Sequence, residues 1–568
     1  MSALTALPPA TAAVLLAVGV LALPRRVGHT AAVLGMVGTS WWIATVPSGL
    51  FLETTLFGFE AVLFNVDAYA RLLGIALGVI AAVGTGYLYA TGADRRQTAY
   101  ALVYLGAGLG AVFAGDWLSL VVFWELMAVA ATVLIWHRTA DRRSGIRYAI
   151  YHEIGGIFLM GGVLIHYDRV GTFLYGDGIT AGLAAVLVGL GIGLNCGLLG
   201  LHVWLVDTYP RTHVATSVVL AAVTTKVGAY TIVRAFPQGN AWIAYAGGAM
   251  VLFGVTFAIL QSDIRRLLSY HIISQVGYMV AGFGAGTALA NAGAIGHLVN
   301  NILYKSLLFM VAGVVIQRTG RENLKQLGGL VRAMPVAAVV FLVGALSIAG
   351  IPGFNGFVSK GMVIDGVEQA GFEVLWAVLI VGGVGTVISF AKLGYAVFLG
   401  GAKPDQSIAD LGVLEAVTLG SVAGLCLVIG VVPAVLFGLL PADGVAAAKP
   451  FAPKQFQKTG AVTAVGLVGF ILLRSRLARV SPVPDLDAVY HPLGRRVQAT
   501  GVAMAVGVEV WIDRVGHRAE GVLTRRLAGE SLLNWDPPIG VWREQSPIGL
   551  GVLALVVVLT LLLVVAAL

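Results

Sequence analysis

The chain has 568 residues, of which 58% are hydrophobic and 11% charged, and its formal net charge at pH 7 is +8. This charged share is less than half the roughly 25% found in soluble globular domains, which excludes a soluble fold. The high hydrophobic share excludes a disordered chain, because disordered chains are poor in apolar residues. Two cysteines, Cys196 and Cys426, both within apolar runs, exclude a disulfide scaffold. The positive net charge does not indicate nucleic acid binding, because cytoplasmic loops of membrane proteins are rich in Lys and Arg.

Apolar runs of membrane-spanning length follow one another along most of the chain. A helix needs about 20 mostly apolar residues to cross the hydrocarbon core of a bilayer. We predict sixteen transmembrane helices, near residues 9–23, 30–50, 66–90, 98–114, 116–136, 146–165, 180–204, 213–233, 241–260, 268–289, 292–316, 333–362, 374–398, 412–440, 459–474 and 546–568. The sequence therefore predicts an all-α polytopic membrane protein.

Basic residues fall in alternate loops between these runs, which is the positive-inside pattern. The first basic pairs are Arg25/Arg26 and Arg95/Arg96, and the loop between them holds Glu53. This pattern predicts a multi-pass protein of the cytoplasmic (inner) membrane with both termini outside the cytoplasm. No positively charged segment precedes the first run, so we expect a retained helix and not a cleaved signal peptide. Three lysines at 449–458 would lie outside, against the pattern, which leaves the C-terminal topology open.

The C-terminal region consists of a polar, basic stretch at 475–545 and the last apolar run at 546–568. Apolar residues of the polar stretch, such as Val508, Trp511 and Val515, have partly helical spacing. One interpretation is a cytoplasmic amphipathic helix that lies along the membrane or a partner. The other is a solvated linker between two helices.

Four charged residues lie inside apolar runs, namely Glu125, Lys226, Lys305 and Lys360. Each buried charge costs at least ~2.5 kcal/mol on insertion scales, so several of them need a shared explanation. They must pair with one another or line a hydrated path. A series of such groups passes a proton by changing partners, and histidine suits this work because imidazole titrates near neutral pH. His271 and His297 lie in neighbouring runs, and both are candidates for this path.

Two further groups are ambiguous from their positions alone. Lys392 lies near the end of a run, where a lysine can also extend to the interface and serve no transport role. Glu153 lies at the start of the sixth run and is an auxiliary candidate for proton transfer.

A break in the apolar pattern accompanies Lys360. The segment SIAGIPGFNGFVSKG places Pro352 between glycines in the middle of a span. Backbone N–H and C=O groups that lack helical hydrogen bonds at membrane depth are tolerated only where they are buried in protein or line a cavity. Paired broken helices are typical of inverted-repeat transporters. The counterpart in the first half would lie near LNCGLLGLHVWLVDTYP.

With these motifs, the chain resembles the antiporter-like subunits shared by Mrp-type cation/proton antiporters and respiratory complex I, and is most similar to the D-type subunits of the Mrp antiporters. The resemblance covers about residues 60–400. It rests on five motifs in order, with PDLDAVYHP in the tail as a further match: GDWLSLVVFWELM, LHVWLVDTYPRTHVATSVVLAAVTTKVGAY, QSDIRRLLSYHIISQVGYM, HLVNNILYKSLLF and IAGIPGFNGFVSK.

The resemblance implies about 14 core transmembrane helices with two inverted five-helix repeats, each holding a half-channel, and a polar axis at mid-membrane. The implied divisions are N-terminal helices at 1–97, a first repeat at 98–235, a second repeat at 241–400, C-terminal helices at 401–474, the amphipathic segment at 475–545 and a last helix at 546–568.

By motif, Glu125 matches the family's helix-five carboxylate and Lys226 its helix-eight lysine. Lys305 falls in the helix-eleven motif, whose first histidine is His297. Lys360 matches the helix-twelve lysine. His271 occupies a position that is His in some relatives and Ser in others.

Two departures concern residues that would carry protons. The family's lysine seven residues before the histidine of the LHxWLP motif is Asn195 here, and that histidine is His202. A second histidine expected four residues before Lys305 is Asn301, and Val206 replaces a proline. Asn holds no transferable proton at ordinary pH. Either the first half-channel uses a rewired route, from Glu125 to Lys226 or His202 with Glu153 as a compensating carboxylate, or it does not conduct.

The leading hypothesis is a proton-conducting subunit of a hetero-oligomeric Na⁺/proton antiporter, not an enzyme, with no cofactor and no metal site. The implied partners are further membrane proteins of the same complex, protons, Na⁺ and the bilayer. A second hypothesis is the proton-pumping subunit of a complex I-like or hydrogenase-type redox complex. It would depend on partners for electrons, because the chain has no cysteine cluster or dinucleotide fingerprint. A scaffold with inactive channels and a free-standing transporter are the third and fourth hypotheses.

Overall fold

The computed structural model describes residues 8–137, 142–400 and 408–479, together with residues 485, 488 and 492. The described residues up to 479 belong to one compact unit. The predicted amphipathic segment at 475–545 falls almost entirely outside the described residues, and the predicted last helix at 546–568 falls wholly outside them.

The N-terminal part contains four helices and one β-hairpin. Its elements are α1 (Pro9–Ala22), α2 (Arg25–Thr45), β1 (Gly49–Leu56), β2 (Phe59–Val66), α3 (Ala68–Ala90) and α4 (Arg95–Phe113). Asp67 and Asp94 precede the last two helices, and their carboxylates accept hydrogen bonds from the backbone amides of Ala70 and Gln97. These acidic residues therefore fix helix starts as N-caps.

The hairpin corrects the all-α prediction in one place. Its strands pair antiparallel, with Gly49 opposite Val66 and Leu56 opposite Phe59. The two residues between the strands, Phe57 and Gly58, both have positive φ, 52° and 88°. Positive φ at both central positions is the geometry that matches the twist of a two-residue hairpin.

The central part contains all the charged candidates of the predicted half-channels. Its helices are α5 (Trp117–Trp136), α6 (Arg142–Val170), α7 (Leu183–Cys196), α8 (Val203–Thr208), α9 (Val214–Ala222), α10 (Thr224–Ala235), α11 (Ala241–Leu260), α12 (Ile264–Ala285), α13 (Ala288–Thr319), α14 (Pro335–Ala349), α15 (Gly356–Gln369) and α16 (Glu373–Gly394). A π-helical turn, Tyr395–Leu399, continues α16.

The remaining described helices are α17 (Val413–Val431), α18 (Ala434–Phe437), α19 (Ala442–Ala446) and α20 (Pro453–Leu477). Among the described residues, nine helices are long and apolar enough to cross a membrane. This confirms the prediction of a multi-pass, predominantly helical membrane protein.

Three spans are interrupted, and both interruptions predicted from sequence are present. The residue that follows α7 is Gly197, whose φ is 73°, and the residue that follows α14 is Gly350, whose φ is 78°. A left-handed residue at this position is the usual glycine C-cap of a helix. A third break, at Val223, separates α9 from α10. The breaks release backbone carbonyls in the interior of the protein.

The core surrounds α13, whose 32 residues are almost all buried. Glycines allow the neighbouring helices α11 and α12 to approach closely. A Cβ at Gly247 would lie 2.3 Å from the amide nitrogen of Ala281, and one at Gly254 would lie 2.4 Å from that of Ser274. Small residues at helix crossings are the typical packing device of membrane proteins.

Candidate functional site

Lys226 lies at the break in the eighth predicted span, with its side chain fully buried. Its Nζ donates to the carbonyl oxygen of Ala221 at 2.6 Å and to Oγ1 of Thr225 at 3.1 Å. Because the helix is interrupted at Val223, the Ala221 carbonyl lies at the end of α9, where carbonyls lack helical partners. The break thus supplies a polar partner for a lysine at membrane depth.

Lys360 lies just beyond the break between α14 and α15 and makes an equivalent contact. Its Nζ donates to the carbonyl oxygen of Ile348 at 2.8 Å, near the end of α14. The ammonium also lies 4.8 Å from the centre of the Tyr278 ring, a cation–π contact. Lys226 and Lys360, two of the three lysines that the motifs assign, are therefore each held by a carbonyl at a helix break.

A buried hydrogen-bond cluster lies next to Lys360 in the second half. His297 Nδ1 is hydrogen-bonded to Oγ of Ser359 at 3.1 Å, and its Nε2 is 3.3 Å from Oε1 of Gln275. Tyr304 Oη is 3.3 Å from the same Nε2 and accepts a hydrogen bond from Nδ2 of Asn301 at 3.1 Å. Asn301, which replaces an expected histidine, therefore joins the same cluster.

His271 of α12 and Lys305 of α13 lie where these two helices pack together. Nε2 of His271 is hydrogen-bonded to Oγ of Ser389 at 2.6 Å, and Nζ of Lys305 donates to the carbonyl oxygen of Leu268 at 2.9 Å. Both side chains are fully buried. Lys392 lies further along α16, where its Nζ donates to the carbonyl oxygens at the end of α11.

Asn195 is buried near the end of α7, and neither polar atom of its amide has a partner among the described residues. Asn195 packs against α10, where a Cβ built at Gly228 would lie 3.0 Å from the Cβ of Asn195. His202 is also fully buried, and its ring lies 4.8 Å from that of Phe253. Because Gly228 is two residues beyond Lys226, the Cβ of Asn195 lies close to the backbone of the helix that carries the lysine.

Glu125 faces α6 instead of Lys226. A Cβ built at Gly156 would lie 1.6 Å from Oε1 of Glu125, so the carboxylate occupies the space that the glycine leaves. Glu153 is three residues earlier on the same helix and is close enough to repel this carboxylate. Within the described residues, neither carboxylate forms an ion pair with a lysine. The structure thus places the Glu125 carboxylate against α6, the helix that also carries Glu153.

A hydroxyl network that our sequence reasoning missed connects α4, α6 and α10. Oγ1 of Thr224 is hydrogen-bonded to the hydroxyls of Tyr104 at 2.6 Å and of Tyr148 at 2.9 Å. The His152 ring stacks on Tyr148 with 3.8 Å between centroids, and its Nε2 has no hydrogen-bond partner in the described part of the chain. Uncharged hydroxyls give no charge signal in a sequence, so only the packing identifies this network.

No group of three or more His, Cys, Asp or Glu side chains that could hold a metal ion occurs among the described residues. The arrangement is instead two sets of buried, hydrogen-bonding side chains, each next to a lysine at a broken helix. Such groups can hold a proton and change partners, which is the chemistry of proton conduction inside a membrane.

Similarity to known proteins identifies the family of this chain. Residues 114–389 match the family described as NADH:quinone oxidoreductase/Mrp antiporter, TM. The chain is 32% identical to the D subunit of the Na(+)/H(+) antiporter of Alkalihalophilus pseudofirmus, over 61% of this chain and 75% of that protein. It is 33% identical to the N subunit of the NADH-quinone oxidoreductase of Desulforudis audaxviator, over 62% of this chain and 75% of that protein.

The fold is similar to a chain of the Mrp complex from Dietzia sp. DQ12-45-1b, with a TM-score of 0.67 and 22% identity. This similarity covers 81% of the present chain and 97% of the Dietzia chain. The family predicted from five motifs is confirmed by the sequence similarity, and the structural similarity shows the same fold. This chain belongs to the NADH:quinone oxidoreductase/Mrp antiporter transmembrane family.

Proposed function

We propose that this chain is a proton-conducting subunit of a multisubunit cation/proton antiporter that exchanges protons for Na⁺ across the cytoplasmic membrane. The observation that carries the proposal is the matched position of Lys226 and Lys360, each held by a carbonyl at a helix break. The similarity to the D subunit of a Na(+)/H(+) antiporter supports the choice of ions. The chain is then an ion-translocating subunit and not itself an enzyme, with both termini outside the cytoplasm.

The buried side chains divide the work between two half-channels, residues 98–235 and 241–400. In the second, the path runs through Lys305, His271 and the His297 cluster to Lys360. An ammonium in this interior is stabilised by a few fixed carbonyls, so loss or gain of a proton changes the local charge strongly. One elementary charge moved across the membrane corresponds to ~2.3 kcal/mol per 100 mV, enough to bias such groups.

The carboxylates of Glu125 and Glu153 support assembly with further membrane proteins. They lie beside an outward face of α5 and α6 that exposes Leu126 (51%), Val129 (54%) and Ile150 (53%). A charged group that faces hydrocarbon costs at least ~2.5 kcal/mol on insertion scales. A partner that covers this face and supplies a cation removes that cost.

Transport in inside-out vesicles that contain the assembled complex tests the proposal. Addition of Na⁺ to vesicles with an acid interior should release protons, and Lys360→Ala should abolish this release. Lys454→Ala is the matched control, because Lys454 is exposed and pairs with Glu368 at the surface. Unchanged Na⁺-driven proton release in Lys360→Ala would contradict the proposal.

The second candidate is a proton-pumping subunit of a redox complex, favoured by the similarity to the N subunit of an NADH-quinone oxidoreductase. The two cysteines of the present chain are unpaired with each other and buried, so electron transfer would belong to partner proteins. Mass spectrometry of the complex purified in mild detergent separates the two functions. Co-purified iron–sulfur, flavin or nickel proteins would establish the redox complex, whereas antiporter subunits alone would establish the antiporter.

A further inference from the structure

A cavity of about 450 Å³ lies between α16, α20 and two loops at one end of the helices. One loop holds Ser262 and the other holds Lys325. The loops are joined by a hydrogen bond of 2.7 Å from the backbone amide of Leu324 to the carbonyl oxygen of Ser262. The π-helical turn after α16 forms one wall and the C-terminal turn of α20 forms the opposite wall.

The lining of this cavity is cationic. Lys325, Lys392 and Arg474 line it, and no Asp or Glu occurs among its described lining residues. The neighbouring carboxylates have other partners: Asp263 caps α12, and Glu322 forms a 2.7 Å ion pair with Arg265. Ser262, Tyr395 and Ser475, whose side chains carry hydroxyl groups, complete the polar lining. Three cations and several hydroxyl groups fit an anion, and phosphate oxygens accept hydrogen bonds from both.

An apolar surface continues from the cavity toward the middle of the membrane. The outward face of α20 exposes Leu467 (45%), Ile471 (61%) and Leu472 (72%). Leu399, which precedes the lining residue Gly400, is 67% exposed. A ligand with a charged head and apolar chains therefore fits better than a free anion. The cavity lies at the same end as Arg265 and Arg266, the end that the loop charges assign to the cytoplasm.

We propose that the cavity binds the phosphate-containing headgroup of an anionic phospholipid from the cytoplasmic leaflet, with its acyl chains along α20. Basic cavities between transmembrane helices on this side are suited to anionic headgroups. The site shares no residue with the path through Lys305, His271, the His297 cluster and Lys360, so each proposal can fail without the other. Free inorganic phosphate shares the headgroup chemistry and is distinguished by the test.

Native mass spectrometry of the detergent-purified full complex, titrated with phosphatidylglycerol or phosphatidylcholine, tests the site. We expect tighter binding of phosphatidylglycerol than of phosphatidylcholine. Arg474→Gln and Lys325→Gln should each weaken phosphatidylglycerol binding about fivefold, since one basic side chain near an anionic surface contributes about 1 kcal/mol. Arg476→Gln is the matched control, because Arg476 is two residues away on the same helix but does not line the cavity.

Arg474→Lys keeps the charge and should keep most of the affinity, which separates loss of the site from loss of the fold. Equal binding of the two lipids, or an Arg474→Gln variant that binds phosphatidylglycerol as the wild type does, would overturn the proposal. Displacement of phosphatidylglycerol by millimolar inorganic phosphate would also overturn it, because the cavity would then be a free-anion site.

Discussion

Lys226 and Lys360 make the same contact in the two halves of the protein. Nζ of Lys226 donates to the carbonyl of Ala221 at 2.6 Å, and Nζ of Lys360 donates to the carbonyl of Ile348 at 2.8 Å. In each case the carbonyl lies at the end of a helix that is broken within the membrane. A fixed carbonyl stabilises an ammonium without a counter-ion, so each lysine can gain or lose its proton without breaking an ion pair.

The first prediction concerns the charge in the first half. Lys226→Met should reduce Na⁺-driven proton flux roughly 100-fold, the scale on which removal of a proton-transferring group is felt. Met has nearly the same length and is tolerated in apolar surroundings, so the protein should still fold. Lys454→Met, at an exposed position, is the control. Flux at the wild-type level in Lys226→Met would mean that the first half does not conduct.

The positions of the long helices and of two of the three breaks could be predicted from the sequence because each depends on local residue pattern. The run around Pro352 signals its break through glycine and proline, and the break at Gly197 follows from a glycine-rich segment. The hairpin before α3 was not predicted, because it lies almost entirely in the loop between the predicted runs at 30–50 and 66–90. The alternation around Phe57 and Gly58 was the available signal.

Contacts between helices could not be predicted from the same patterns. One of the two alternatives for the first half-channel was a route from Glu125 to Lys226 or His202, but the carboxylate lies against Gly156 of α6. The contact between α5 and α6 depends on how each helix is rotated about its own axis. Both helices are apolar on most sides, so their sequences have little periodicity from which this rotation could be predicted.

The second prediction concerns the hydroxyl network at Thr224. Tyr148→Phe removes a 2.9 Å hydrogen bond and should lower the stability by about 1 kcal/mol and reduce proton flux. Tyr175→Phe is the matched control, because the Tyr175 hydroxyl is also buried but has no hydrogen-bond partner among the described residues. Thermal unfolding and vesicle flux of both variants check this. Equal flux in the two variants would exclude the network from the proton path.

The third prediction concerns Asn195. Buried amide groups need hydrogen-bond partners, and neither polar atom of this side chain has one among the described residues. We expect ordered water to bind there and to connect the amide to the hydrated path near Lys226. Asn195→Leu, which has the same number of side-chain heavy atoms but no polar group, should therefore reduce proton flux at least about tenfold. A variant that is more stable and conducts normally would show that the amide is dry and has no role in transport.

The fourth prediction uses the glycine that accommodates Glu125. A Cβ at Gly156 would lie 1.6 Å from Oε1 of Glu125, so Gly156→Ala must displace the carboxylate. Since misplacement of a reacting group by about 1 Å can cost up to about 100-fold in rate, flux should fall about 10- to 100-fold. Gly161 lies on the same helix, and a Cβ there would be 3.7 Å from its nearest neighbouring atom. The proton flux of Gly161→Ala should therefore match that of the wild type. If Gly156→Ala and Glu125→Gln both conduct normally, the carboxylate has no part in conduction, and the scaffold interpretation of this half is correct.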